Sequence, residues 1–201
     1  DFDAAGALTV SNATTLELSG DNYIARGGVL DMRSTVSGIE IDGSNTVSMV
    51  TENNFDMLLA DISDASDGVK TDLSISSAGL LTLGAVDLND GVNDGELAVT
   101  LTGAGVKTAT LDGSISNVGT FSFAGNATDD IVVFNDDAQA NGSFVISNVD
   151  KIQLSADVDL EGASVDLTAS VNTLELLGIT NNKISSTAGD INIGSVSSTN
   201  S

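Results

Sequence analysis

The chain has 201 residues, a formal net charge of −23 at pH 7 and a hydrophobic fraction of 41%, of which little is aromatic. It contains no Cys, His, Pro or Trp, which excludes disulfides, thiolate zinc sites and histidine-based catalysis. The negative charge argues against nucleic-acid binding, and no stretch approaches 18 consecutive apolar residues, so no membrane span is predicted.

Residues 1–71 are predicted to form an N-terminal β-rich region. Aliphatic residues two positions apart, such as Leu16/Leu18 and Ile39/Ile41, predict short strands, because successive side chains of a strand point to opposite faces. Turns rich in Asn, Gly, Ser and Thr separate these pairs.

One short helix is predicted within this region, over residues 53–62. Its apolar residues fall at positions i, i+3, i+4 and i+7, which is typical of one helical face, and an Asn precedes them as a candidate N-cap. The residues concerned are Asn53, Asn54, Phe55, Leu58, Leu59 and Ile62.

Residues 72–201 are predicted to form an all-β, parallel β-solenoid, either as a separate region or as one continuous domain with residues 1–71. Aliphatic pairs recur here at intervals too short for helical crossovers, and the turns lack the consistent two-residue Asn-Gly or Asp-Gly loops that hairpins prefer. β-Sandwich modules are the alternative. The clearest pairs are Ile152/Leu154, Val158/Leu160, Val165/Leu167 and Leu174/Leu176.

A sequence recurrence supports a repetitive fold. The phrase Ile-Ser-Asn-Val at residues 115–118 returns at residues 146–149, and an aliphatic or aromatic pair follows each copy at the same spacing. Strands on two or three faces predict coils of about 15 to 30 residues and roughly 7 to 12 rungs.

The densest cluster of oxygen-bearing side chains lies at residues 87–96. Short carboxylates in a Gly-punctuated loop suit a hard cation such as calcium, which binds six to eight oxygens. The alternative is an acidic turn without a ligand. The predicted ligands are Asp90, Asn93, Asp94 and Glu96.

A second acidic cluster lies at residues 125–137 and supplies four further candidate calcium ligands: Asp129, Asp130, Asp136 and Asp137. Gly125 and Asn126, followed by the first two of these acids and Ile131, resemble one turn of the calcium-binding nonapeptide of repeats-in-toxin proteins. The tandem glycines of that family are absent, so the resemblance permits calcium without requiring it.

The strand-rich segment from about residue 72 to 196 resembles the β-rich parts of bacterial surface-layer proteins and type I-secreted adhesins. Phrases such as Ile146-Ser-Asn-Val149 and Asn172-Thr-Leu174 carry this resemblance. It implies an extracellular, calcium-stabilised, non-catalytic structural protein at the cell surface. Its partners would be further copies of itself, as a layer, filament or adhesin, and a cell-surface glycan.

Two alternatives remain open from the sequence. A polysaccharide-acting β-helix enzyme could use paired acids such as Asp129/Asp130 or Asp157/Asp159. Saccharide sites usually use aromatic stacking platforms and basic residues. The chain has few aromatic residues and only six basic ones, which argues against this alternative. A passive adhesin spacer or ligand-binding module is the other alternative.

Overall fold

The computed structural model describes residues 1–33, 38–42, 46–65, 67–90, 94–126, 129–155, 157–177 and 181–199. The regular secondary structure in these ranges is entirely β-strand, and the paired strands run parallel. The predicted all-β fold with a parallel β-solenoid body is therefore confirmed.

Each complete turn of the solenoid contributes one strand, or one part of a long strand, to each of three faces. The first face contains β1 (Phe2–Ala4), β4 (Asn22–Ala25), β7 (Thr46–Thr51), β10 (Asp72–Ser77), β13 (Leu97–Leu101), β16 (Phe121–Ala124), the first parts of β19 (Ser143–Leu154) and β21 (Ser164–Leu177), and β23 (Ile191–Ile193).

The second face contains β2 (Leu8–Thr9), β5 (Leu30–Asp31), β8 (Met57–Leu59), β11 (Leu81–Leu83), β14 (Thr108–Leu111), β17 (Ile131–Phe134), the last parts of β19 and β21, and β24 (Val196–Thr199). The third face contains β3 (Leu16–Leu18), β6 (Ile39–Ile41), β9 (Ile62–Asp64), β12 (Val86–Asp87), β15 (Ile115–Val118), β18 (Ala138–Ala140), β20 (Asp159–Gly162) and β22 (Lys183–Ser186).

The strand register gives the length of a coil. Phe2 lies opposite Tyr23 in the next coil, and Tyr23 lies opposite Met49 in the coil after that, so a coil takes roughly 20 to 26 residues. The third face has eight strands, so about seven turns separate the first from the last and span about 35 Å along the axis. Both values agree with the coil size and rung number predicted from the sequence. Strand pairing also joins residues 1–71 to residues 72–201, because β7 lies beside β10.

The core is one continuous column of side chains that point inward from alternate strand positions. In one coil, Phe121, Phe123 and Phe134 are fully buried opposite the small side chains of Ala138 and Ala140. Large residues on two faces are thus accommodated by small residues on the third, which keeps the volume of this layer close to that of its neighbours.

The helix predicted over residues 53–62 is wrong. Asn53 and Asn54 adopt left-handed backbone conformations, with φ of 56° and 64°, and turn a corner between two faces. The strands β8 and β9 follow, and they bury Met57, Leu59 and Ile62. Strand alternation with a corner between the strands therefore explains the apolar spacing that also fits a helix.

The recurrence of Ile-Ser-Asn-Val is not the structural repeat. Ile115 lies on the third face, whereas Ile146 lies on the first face and pairs with Phe123 of the preceding coil. The two copies of the phrase share a local shape instead. Asn117 and Asn148 both have positive φ, 50° and 54°, and each turns the chain towards the next face. The recurrence therefore marks a repeated corner.

Candidate functional site

The first acidic cluster lies in the corner between the third and first faces. Asp90 is buried and Asp94 is half-buried. Asp94 accepts a hydrogen bond from the side-chain amide of Asn141, which lies two coils away. Glu96 is exposed and forms an ion pair with Lys70 at 3.5 Å. These acids therefore make contacts with different partners. Asn93 lies outside the described residues.

The second acidic cluster is divided by a strand. Asp129 and Asp130 precede β17, and Asp136 and Asp137 follow it. Four extended residues separate the two pairs by roughly 13 Å, too far for one ion to bind both. The structure therefore does not bring the four predicted ligands together.

No group of three or more acidic side chains is placed to hold a metal ion in the parts of the chain that the structure describes. Calcium binding by the eight residues chosen from the sequence stays a prediction.

Many acids act instead as acceptors for backbone N–H groups at the corners. Asp130 is completely buried, and its two carboxylate oxygens accept hydrogen bonds of 2.8 Å from the N–H groups of Lys107 and Asn126. A corner interrupts the strand ladder, so these N–H groups need another acceptor. Other carboxylates that accept an N–H from a different coil are those of Asp1, Asp56, Asp61, Asp72, Asp137 and Asp157.

Arg26 holds three consecutive coils together. Its guanidinium binds Asp3 in the preceding coil, with Nε to Oδ1 at 2.8 Å, and Glu52 in the following one. The hydrogen bond from Arg26 lowers the pKa of Asp3 below its ordinary value, and the positive charge of Arg26 adds to that effect. These ion pairs lie at the surface, and their role is to connect neighbouring coils.

Asp64 is a buried acid that was not chosen from the sequence. It occupies an inward position of β9, directly opposite the buried Ile41, and only 6% of it is exposed. Desolvation raises the pKa of Asp64, hydrogen bonds from Thr71 partly offset this, and the nearby charges of Asp90 and Asp67 raise it further. The sequence carried a signal for it, because alternation from Ile62 places residue 64 inside.

The first described coil of the solenoid carries apolar side chains at the end of the core. Phe2 is 53% exposed and borders a cavity of about 250 Å³ at the end of the core. The first strand of each face, β1, β2 and β3, pairs on one side only among the described residues. The remaining lining residues are Leu8, Val10, Leu16, Glu17, Leu18, Ser19, Tyr23 and Met32.

The opposite end is also apolar. Ile191 and Val196 are 43% and 57% exposed on the last strands, and β22, β23 and β24 each have one unpaired edge within the described chain. Unpaired N–H and C=O groups on such edges can pair with another strand.

A groove of about 460 Å³ runs along the corner between the first and second faces. Its lining includes Glu52, Asn53, Asn54 and Thr102, with small residues between them and no aromatic side chain among those that line it. Stacking platforms typical of saccharide sites are therefore missing from this groove.

Comparison with protein-family models, curated proteins and solved structures finds no significant match to this chain. No helix among the described residues has the length and apolar character needed to span a bilayer. The structure thus supports the coarser part of the sequence resemblance, a β-helix type of repeat fold, and the surface-layer and adhesin interpretation rests on the residues alone.

Proposed function

We propose that the chain is an extracellular, non-catalytic structural unit that assembles with further copies of itself at a cell surface, as a layer, filament or adhesin, with calcium as a stabilising ion. The observation that carries this proposal is the parallel β-solenoid itself, in which each coil pairs its strand edges with the next coil. The edge of a coil in such a stack can pair with a coil of another copy, and the exposed side chains of Phe2, Ile191 and Val196 would add apolar surface to that contact.

The contacts of the acids support a structural role over a catalytic one. A general acid or base has to reach the substrate. Asp130 is buried with both oxygens bound to backbone N–H groups, and Asp157 accepts the N–H of Asn181. In each of the two acid pairs considered for an enzyme, Asp129/Asp130 and Asp157/Asp159, one member thus stabilises a corner of the backbone.

The net charge sets a condition for assembly. Two copies that carry −23 each repel one another, and that repulsion weakens with ionic strength and with bound divalent cations. Calcium should therefore promote assembly even when its binding is weak.

The proposal is tested by electron microscopy and light scattering of the purified chain with and without millimolar calcium. Val196→Glu places a charge on the apolar C-terminal end, and Val106→Glu is the matched control, because Val106 is 56% exposed on the side of the rod. We expect ordered polymers of the unmodified chain and of the control, and loss of polymers in Val196→Glu, since the added carboxylate must be desolvated at the contact.

Equal assembly of both variants would contradict contact through the ends. A chain that stays monomeric under all these conditions would contradict assembly and favour the passive spacer. Release of sugar products in a parallel polysaccharide screen would overturn the non-catalytic proposal.

A further inference from the structure

Two buried carboxylates lie at the corner between the third and first faces, where the pairing of Ser63 with Asp87 brings the ends of β9 and β12 side by side. Asp64 is 6% exposed and Asp90 is 2% exposed, and the two belong to consecutive coils. Desolvation raises the pKa of Asp64, and the negative charge of Asp90 adds to that effect.

One oxygen of Asp64 is unsatisfied. Oδ2 of Asp64 accepts the backbone N–H of Thr71 at 3.2 Å, whereas Oδ1 is buried and has no hydrogen-bond partner. An ionised carboxylate in such a place is strongly disfavoured unless an opposite charge or a hydrogen-bond donor reaches it. Polar residues at inward positions are rare in this core, so an unsatisfied oxygen there calls for a ligand.

The chain's own cations do not supply that charge. Lys70 lies closest in sequence, but its ammonium binds Asp72 at 3.0 Å and Glu96 at 3.5 Å at the surface. None of the ion pairs formed by the described residues includes Asp64.

We propose that Asp64 and Asp90 bind one calcium ion between the two coils, with the hydroxyl of Thr71 beside them. The donors are oxygens only, which selects a hard cation, and two carboxylates match a divalent charge. Calcium fits a buried site better than magnesium, which gives up its water reluctantly and demands strict octahedral geometry.

This site differs from the clusters chosen from the sequence, because it joins Asp90 to a residue one coil earlier. The calcium site extends the proposed function. It rests on that proposal only for the choice of calcium as the cation. Its role is to lock two coils together, so it acts in the monomer and can be tested apart from assembly.

The test is calcium titration of the metal-free monomer at pH 7.5 in 150 mM NaCl, followed by calorimetry and thermal unfolding. We expect one tight site per chain and a rise in Tm of about 5–10 °C at a hundredfold excess over Kd. Asp64→Asn should lose that site and the calcium-dependent rise. Asp61→Asn is the matched control, because exposed Asp61 accepts the N–H of Ala85 and an amide oxygen can replace it.

An unchanged Tm of the unmodified chain on addition of calcium would overturn the proposal, as would an equal loss of the response in both variants, which would indicate diffuse binding to the acidic surface. If Asp64→Asn raises Tm equally with and without calcium, and the unmodified chain shows no tight site, the pair shares a proton and the calcium site is refuted. Failure of assembly with an intact calorimetric site would refute the proposed function alone.

Discussion

At the scale of single residues, the acidic composition is largely a consequence of the corners. A solenoid turns sharply several times per coil, and each turn leaves backbone N–H groups outside the strand ladder. Asp and Asn satisfy these groups with short side chains and also tolerate left-handed backbone, as Asn148 and Asp157 do. Many Asp side chains therefore satisfy backbone N–H groups in addition to giving the surface its negative charge.

The Asp130→Ala substitution should destabilise the corner before β17. It removes both acceptors of the N–H groups of Lys107 and Asn126, and two unsatisfied N–H groups cost about 2–4 kcal/mol. Hydrogen exchange of these two amides should accelerate in step with the loss of stability. The neighbouring, exposed Asp129 is the control, and its change to Ala should have an effect within about 0.5 kcal/mol. Equal effects of the two substitutions would refute this role of Asp130.

The limits of prediction from the sequence are also visible at single residues. The inward position of Asp64 follows from strand alternation, so its burial was accessible in principle. The contacts of Asp94 with Asn141 and of Asp130 with Lys107 were not, because these partners lie one or two coils away and depend on the register between coils. Acid spacing along the chain therefore suggested clusters that the structure separates.

At the scale of elements, the alternation of aliphatic residues predicted the strands well, and coil length followed from their spacing. Two patterns misled. The helical spacing at residues 53–62 arises from two strands that flank a corner, and the recurrence of Ile-Ser-Asn-Val matches two corners on different faces. Coil lengths vary between neighbouring turns, so no fixed period exists for the sequence to reveal.

Close contact between coils at a corner predicts a strong effect of Gly103→Ala. A Cβ at this position would lie 1.7 Å from the carbonyl oxygen of Ala78 in the preceding coil, and 2.7 Å from Oδ1 of Asn54, which accepts the N–H of Ala104. The backbone has to move apart, at a cost of about 1–3 kcal/mol.

Thermal unfolding measures the overall loss, and faster hydrogen exchange at Ala104 locates it. Gly38→Ala is the control, because a Cβ there meets only one atom, at 3.8 Å. If the two substitutions lower Tm equally, inter-coil contact is not the cause.

At the scale of the whole molecule, each coil packs mainly against its two neighbours, so stability is close to a sum of coil and interface contributions. The largest interface contribution should lie where three aromatic rings meet. The ring centroids of Phe121 and Phe144 are 4.6 Å apart, and Phe134 lies 6.2 Å from the first and 6.1 Å from the second. This cluster joins two successive coils in the second half of the rod.

The Phe144→Ala substitution should therefore cost about 3–5 kcal/mol and weaken the rod locally. Amides in β16, β19 and β21 should exchange faster, while those in β4 and β7 keep their protection, because the disturbance passes only through adjacent coils. Phe2→Ala is the control, since Phe2 is half-exposed and its loss creates no internal cavity. A uniform loss of protection along the whole chain would show a single cooperative unit instead.

The parallel stacking of coils also determines how the rod responds to tension. The inter-coil hydrogen bonds run along the rod axis, so a pull on the two ends loads one layer of bonds after another and peels coils from an end. Each released coil gives up about 4.8 Å of rod and yields about 70–95 Å of extended chain. A rod anchored at a cell surface would thus lengthen stepwise under flow and dissipate mechanical work with each step.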